Sequence, residues 1–383
     1  MKYAIIGAGR MARAVVHDLL RDPGTTLIRV GDIDPARANE LCDAFGDRRL
    51  VALGLDASVA SQLDSFLEGV DVCVSAASYS VNIELTRSCI RTRTHMVDMG
   101  GNNDVVSAQK ALDREAKSSG ITVVPDMGLA PGLAAVLAVS LFREFERVEA
   151  IRMRVGGLPQ NPKPPLNYGL VFSVEGLINE YVEPCLVIRE GRRQAVEPLA
   201  DIEEIVFPEP FGRMEAFNTS GGSSSLPFML EGRVRELDYK TIRYPGHCEK
   251  MRTMLELGLM SSEPVEVDGV SVIPRRLLET LLDANLPHIT DDVTLLRCWA
   301  DGEKGGKPVR VEYEMIDYPS GGLTSMMRTT GFPVSITARM IAEGRIAERG
   351  VLLPEECVPA KAMMEELAEL GVVIERRETP LSG

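Results

Sequence analysis

Gly7-Ala8-Gly9-Arg10-Met11-Ala12 is a G-x-G-x-x-A sequence set between a short apolar run, Tyr3-Ala4-Ile5-Ile6, and a stretch with helical apolar spacing. Each position has a task in holding a pyrophosphate. The first glycine permits a tight turn, the second lets the backbone approach the phosphates, and Ala12 is small enough for a helix to pack closely on a strand. The free N–H groups of the helix N-terminus, at Arg10 and Met11, then point at the anion. Asp32 closes the next apolar run. A carboxylate there accepts from the ribose 2′-OH and repels a 2′-phosphate, which favours NAD over NADP. Arg29 and Arg37 weigh the other way, because a nearby arginine can hold that phosphate. Gly7, Gly9, Arg10, Met11 and Asp32 are therefore the first expected cofactor contacts.

Further candidates fall at the carboxyl ends of later strand-like runs, the rim on which open α/β sheets bind ligands. Asp56 and Ala57 follow the third run, Ala76 and Ser78 the fourth, and Asp98 and Gly100 the fifth; Met127 and Pro131 lie beyond the sixth. All eight are expected to line the cofactor, with a helix N-cap as the competing reading of Asp56. Asp126 shares this rim. It could pair with a substrate ammonium or serve as a base, or be a turn aspartate bonded to its own backbone.

Two later segments are more distinctive: Val124-Pro125-Asp126-Met127-Gly128-Leu129-Ala130-Pro131-Gly132 and Tyr239-Lys240-Thr241-Ile242-Arg243-Tyr244-Pro245-Gly246-His247. Supporting them are Pro164-Pro165-Leu166 with Tyr168, Phe172-Ser173-Val174-Glu175-Gly176-Leu177, and Ala216-Phe217-Asn218-Thr219-Ser220-Gly221-Gly222. Through these segments the sequence resembles the saccharopine dehydrogenase family from end to end, and within it the lysine 6-dehydrogenases. The resemblance implies NAD-dependent oxidative deamination of the ε-amine of L-lysine. The products would be ammonia, NADH and allysine, which cyclises to a piperideine carboxylate. It also implies a C-terminal tail packed back on the nucleotide domain, and a homodimer or larger assembly. Gly101-Asn102-Asn103 is a departure, since the lysine enzymes carry histidine there.

Amine oxidation requires a neutral amine, a hydride acceptor at its carbon and water to hydrolyse the imine; the cofactor takes the hydride while the protein orients and manages protons. An amino-acid substrate also needs its carboxylate held, for which the planar arginine fork is suited. Arg243, flanked by Tyr244, is the candidate, against the alternative of an ordinary surface ion pair. His247 titrates in the range that suits proton transfer, or caps a helix. It and Asp126 are the catalytic candidates. Thr219 and Ser220 form a polar loop that could donate to a carboxylate or act as a hinge. Tyr168 and Glu175 are candidates for the second amine. His17, His95 and His288 read as structural, and Lys240 and Lys250 as solvated or paired. Saccharopine or carboxynorspermidine enzymes of the same family are the rival reading; the extra carboxylates of a saccharopine would need a second arginine, which Arg213, Arg233 and Arg235 leave open. A non-catalytic dinucleotide sensor is the alternative from another class.

These residues must be positioned by two kinds of architecture. Over the first 125 or so residues six strand-like runs alternate with helical stretches, which predicts a doubly wound parallel sheet of Rossmann type. From about residue 148 to 330, strand-like runs follow without helical crossovers. This predicts an α+β second domain with a mainly antiparallel sheet. Asp268-Gly269 marks a tight hairpin, and residues 301–308 read as a longer solvated hairpin loop. The expected division is 1–131 with 331–383 for the nucleotide domain, and 132–330 for substrate binding and oligomerisation.

The 383 residues suffice for two domains, and 45% apolar with 26% charged residues is ordinary globular composition. A balance of 42 Lys+Arg against 56 Asp+Glu gives a net charge of −14, which argues against nucleic-acid and anionic-membrane partners and fits a cationic substrate. Seven cysteines, odd in number and without a C-x-x-C pair, read as buried thiols of a reducing compartment with no metal site. No signal peptide is visible, and the uncharged stretch from Met127 to Phe142 is too short for a membrane span. A cytoplasmic location is expected.

Overall fold

Strands with covered, mostly apolar side chains belong in the middle of a parallel sheet, and the N-terminal third of the chain contains such runs at residues 3–6 and at Val72–Ser75. The computed structural model describes residues 1–381. In chain order β1 (Lys2–Ile6), α1 (Arg10–Arg21), β2 (Leu27–Asp32), α2 (Pro35–Phe45), β3 (Leu50–Gly54), α3 (Ala60–Leu67), β4 (Val72–Ser75), α4 (Asn82–Thr92), β5 (His95–Asp98), α5 (Asn103–Lys110), α6 (Asp113–Ser119), β6 (Thr122–Val124) and α7 (Leu133–Phe142) alternate. There follow β7 (Arg147–Pro159), α8 (Val174–Val182), β8 (Cys185–Arg189), β9 (Arg192–Val196), β10 (Glu203–Phe207), β11 (Gly212–Asn218), α9 (Leu226–Leu230), β12 (Val234–Arg243), α10 (His247–Glu256), β13 (Val265–Val267), β14 (Val270–Val272), α11 (Pro274–Asn285), β15 (Asp292–Lys304) and β16 (Lys307–Asp317). The chain ends with α12 (Ser325–Ala342), β17 (Gly350–Val351), α13 (Pro354–Cys357), α14 (Ala360–Glu369) and β18 (Glu375–Pro380).

Contacts divide these elements into two units: Met1–Ser140 with Met327–Val373, and Leu141–Met326 with Ile374 onward. Compared with the expected division, residues 132–140 and 327–330 go with the first unit, and the last strand goes with the second. In the first unit the parallel order is β17-β6-β5-β4-β1-β2-β3. The chain winds outward in both directions from the β1–β4 pair, where Ile6 is in register with Gly31 on one side and Ser75 on the other. Connections diverge there and leave a crevice at the carboxyl ends. The C-terminal segment closes this unit. Ser335 donates to Asp18 at 2.7 Å, and Gly350 in β17 pairs with Thr122 of β6.

The second unit is a nine-stranded sheet, β10-β11-β12-β7-β15-β16-β18, with the β8–β9 hairpin attached to β12. β7 and β12 run parallel, and the other neighbours are antiparallel. The fold class is therefore a parallel Rossmann-type sheet joined to a mixed, mainly antiparallel one. Residues 301–308 are not a long loop: β15 and β16 stay in register out to Lys304 and Lys307, leaving only Gly305 and Gly306 as the turn. Charged residues at those strand ends, such as Asp301 with Arg310, pair across the ladder instead of marking its end.

Candidate functional site

The glycine loop of the first unit is packed backbone on backbone. Gly7 has φ +92°, and a Cβ there would lie 2.9 Å from the Ala76 carbonyl group, so no other residue fits without a shift. Gly9 caps α1 with no side-chain bond to the first-turn N–H groups and has open space where a side chain would stand. Arg10 and Met11 begin the helix half-buried. Asp32 accepts from Ala8 N at 2.7 Å through Oδ2 and from Asp34 N at 2.9 Å through Oδ1. A carboxylate has about four acceptor sites, so two remain for a diol. Arg29 donates to the Phe66 and Glu68 carbonyls at 2.7 and 2.9 Å, which commits it to the end of α3. Arg37 is exposed, 3.8 Å from Asp34.

Other rim residues hold the rim together. Asp56 accepts from Ser58 N and Oγ at 2.9 and 2.6 Å, and those bonds hold its carboxyl below the usual range. Ala57 packs on the apolar core. Ala76 N donates to Ile6 O at 2.8 Å, and exposed Ser78 accepts from Ser80 N at 3.4 Å. Asp98 is fully buried and accepts from Gly100 N (2.8 Å), Asp126 N (3.1 Å) and Gln109 Nε2 (2.8 Å). Burial raises its pKa while these three bonds oppose the rise. Gly100 has φ +73°, and a Cβ there would collide with the Asp126 carboxylate. Asp126 is 2% exposed, Met127 N donates to Asp98 O at 2.8 Å, and Pro131 is half-buried.

In the second unit β12 delivers alternate side chains to opposite faces of the sheet. Asp238 and Lys240 go to one face, where Asp238 pairs with buried Arg154 at 2.6 Å and Lys240 with Glu203 at 3.0 Å. Tyr244 is on that side too, packed on the core with its hydroxyl donating to Pro159 O at 2.8 Å. Thr241 and Arg243 go to the other, with Thr241 bonded to Thr219 at 2.7 Å. Arg243 is 2% exposed, and its guanidinium lies 5.0 Å over the Tyr168 ring. Its Nε donates to Tyr181 Oη at 3.1 Å and its Nη1 to Ile242 O at 2.9 Å. Nη2 lies 3.7 Å from Glu180 Oε2.

His247, at the start of α10, fixes the direction of this chain of bonds. Its Nδ1 is 3.1 Å from the Leu166 carbonyl, which can only accept, so Nδ1 carries the proton and Nε2 accepts from Tyr181 Oη at 3.0 Å. Tyr181 thus donates to His247 and receives from Arg243. Burial, then the neighbouring guanidinium, lowers the His247 pKa to about 3. The neutral ring positions Tyr181, and both of its nitrogens are engaged. Burial raises the Tyr168 pKa to about 12, and it raises Glu180 to about 7 against the pull of Arg243.

Ser220 Oγ donates to Asn179 O at 3.3 Å, and its N donates to Glu180 O at 3.0 Å. Glu175 is exposed in the first turn of α8, one turn and more before Glu180. Glu180 and Tyr181 are not among the sequence candidates. A signal was present: Val174, Leu177, Ile178 and Tyr181 are the buried stripe of α8 at helical spacing, which turns Tyr181 inward and sets Glu180 beside it. Among the described residues no group of three or more His, Cys, Asp or Glu is arranged to hold a metal, and no helix is long and apolar enough to cross a membrane.

Residues 3–124 match the saccharopine dehydrogenase NADP binding domain, and residues 128–372 match the saccharopine dehydrogenase C-terminal domain. The chain belongs to the saccharopine dehydrogenase family. It is 22% identical to the NADP(+), L-glutamate-forming saccharopine dehydrogenase of Saccharomyces cerevisiae, over 95% of this chain and 96% of that one. It is also 22% identical to carboxyaminopropylagmatine dehydrogenase of a Synechocystis species, over 97% of this chain and 96% of the relative. The solved apo structure of the Saccharomyces cerevisiae saccharopine dehydrogenase shares the fold, with a TM-score of 0.82 at 21% identity, covering 99% of both chains. The chain is accordingly a dinucleotide-dependent, NAD(P)-binding dehydrogenase of this family acting on amine substrates.

Proposed function

We propose that this enzyme oxidises the ε-amine of L-lysine with NAD. Lysine, NAD and water would yield allysine, ammonium, NADH and a proton, and allysine would then close to piperideine-6-carboxylate. The observation that carries this reading is the Arg243 guanidinium, which among the described residues is the one that meets Tyr168, Tyr181 and Glu180, held rigidly with its Nη2 edge free of hydrogen bonds. One fixed fork suits a substrate with one carboxylate. Among the rival secondary amines, saccharopine carries further carboxylates and needs a second cation, whereas a secondary amine with one carboxylate does not and is separated from lysine by assay. Arg213 and Arg235 are exposed and paired with Glu204 and Glu149, and Arg233 lies over the Phe142 ring. The names of the relatives favour that rival, and the two substrate classes give opposite outcomes in one assay.

Bound NAD would supply the hydride acceptor for the ε-carbon. On the chain's side, Arg243 holds the carboxylate, Tyr181 and His247 hold Arg243, and Thr219, Ser220 and Tyr168 border the same cluster. Asp126 is our candidate for accepting the amine proton. NAD rather than NADP is favoured by Asp32, whose two remaining acceptor sites suit a ribose diol and whose charge repels a phosphate. Arg29, already bound to two carbonyls, is withdrawn as a phosphate ligand. Steady-state kinetics with L-lysine and either cofactor test the proposal. NADH formation with lysine as sole substrate supports it; turnover confined to saccharopine defeats it.

A further inference from the structure

Arg243 and Glu180 are opposite charges that have been brought together and not allowed to close. A well-formed arginine–carboxylate pair is bidentate at about 2.7–2.9 Å, whereas Nη2 and Oε2 here are 3.7 Å apart, outside hydrogen-bond range. Three contacts hold the guanidinium back. Nε is tied to Tyr181, Nη1 to the Ile242 carbonyl, and the guanidinium plane rests on the Tyr168 ring, so the fork cannot swing toward α8. Tyr181 is in turn held by His247, which is anchored on Leu166. Among the described residues the Glu180 carboxylate accepts no hydrogen bond and the Nη2 group of Arg243 donates none. About 30% of the Glu180 side chain remains open. Sparsely solvated charges without hydrogen-bond partners cost free energy until a partner of complementary chemistry arrives.

A ligand that carries an anion and a cation one carbon apart satisfies both at once. We propose that Arg243 and Glu180 form a head-group clamp for a zwitterionic α-amino acid, with the α-carboxylate on the guanidinium edge and the α-ammonium on the Glu180 carboxylate. The inference rests on the reading that Arg243 takes the substrate carboxylate, and it adds Glu180 as the residue that selects amino acids over amines or carboxylates lacking an α-ammonium. Held by its head group, such a substrate presents its distal amine for oxidation.

The test is calorimetric binding of L-lysine and of 6-aminohexanoate, which keeps the carboxylate and the distal amine but lacks the α-ammonium. The unmodified protein should prefer lysine by about 10- to 100-fold, the range of one charge-assisted hydrogen bond. Glu180→Gln should abolish that preference by weakening lysine alone, and Glu180→Asp, which keeps the charge, should restore part of it. Near-ultraviolet circular dichroism checks that each variant is folded. Equal binding of the two ligands to the unmodified protein, or equal weakening of both in Glu180→Gln, overturns the clamp. Arg243→Gln separates the two readings. It should weaken both ligands, and if it weakens neither, the assignment of Arg243 itself has failed whatever Glu180 does.

Discussion

His247 should make the second unit acid-sensitive by an amount that can be worked out. Protonating Nε2 would break its bond from Tyr181 and set a cation beside Arg243, which is why the ring resists it down to about pH 3. An unfolded chain has an ordinary histidine, which titrates near 6.5. The folded pKa is the lower of the two, so the stabilising contribution is whole above about 6.5 and is lost as pH falls toward 3. At about pH 5 the unfolded state holds a proton that the folded state refuses over roughly 1.5 pH units. At about 1.36 kcal/mol per unit this removes about 2 kcal/mol. His247→Gln has no such proton. It should start less stable near pH 8, having lost part of the bonded chain, and the gap to the unmodified protein should shrink by about 2 kcal/mol near pH 5. Trp299, the sole tryptophan, lies buried in β15 of the same unit and reports its unfolding in denaturant by fluorescence. A gap that is the same at both pH values would refute the assigned bond directions and the neutral ring.

Three other outcomes are expected. Asp32→Ala should lower NAD affinity by about tenfold, for the loss of charge-assisted bonds to the ribose, and reduce the preference over NADP; an unchanged cofactor ratio in kinetics would remove Asp32 from the ribose. Gly7→Ala forces a side chain into a left-handed backbone against Ala76, which should cost about 1–2 kcal/mol for conformation alone and abolish dinucleotide binding by calorimetry. Glu180 should give kcat/KM for lysine an acid limb near its raised pKa of about 7, with activity rising as the carboxylate ionises. Glu180→Gln should flatten that limb, and a limb that persists there belongs to another group.

Much of the first unit is legible in sequence because its central strands are buried on both faces and read as apolar runs between turn residues; Val72-Cys73-Val74-Ser75 is entirely covered. The glycine loop is legible for the same reason, since its residue types answer local backbone demands. The second unit is less so. β9 and β18 are mostly polar strands at the margins of the sheet, and the residues of β18 are all exposed. Neither shows alternation, and β18 is held by its ladder and by pairs such as Arg377 with Glu314 at 3.2 Å. Arg243 stands out in sequence through its neighbours, yet Tyr244 beside it serves the opposite face because strand side chains alternate. Glu180, Tyr181 and His247 meet only because α8, α10 and β12 converge from distant parts of the chain. Their bonds span 62 and 66 positions, and no local pattern encodes them.

The most direct measurement is the reaction itself: purified protein, L-lysine and NAD, with no 2-oxoglutarate present, followed by absorbance for NADH and by an independent assay for ammonia. Lysine oxidation requires the two products to appear in equal amounts. No NADH from lysine, with reduction of NADP by saccharopine instead, would contradict that substrate assignment, and cofactor binding without turnover of any amine would contradict the enzymatic reading altogether.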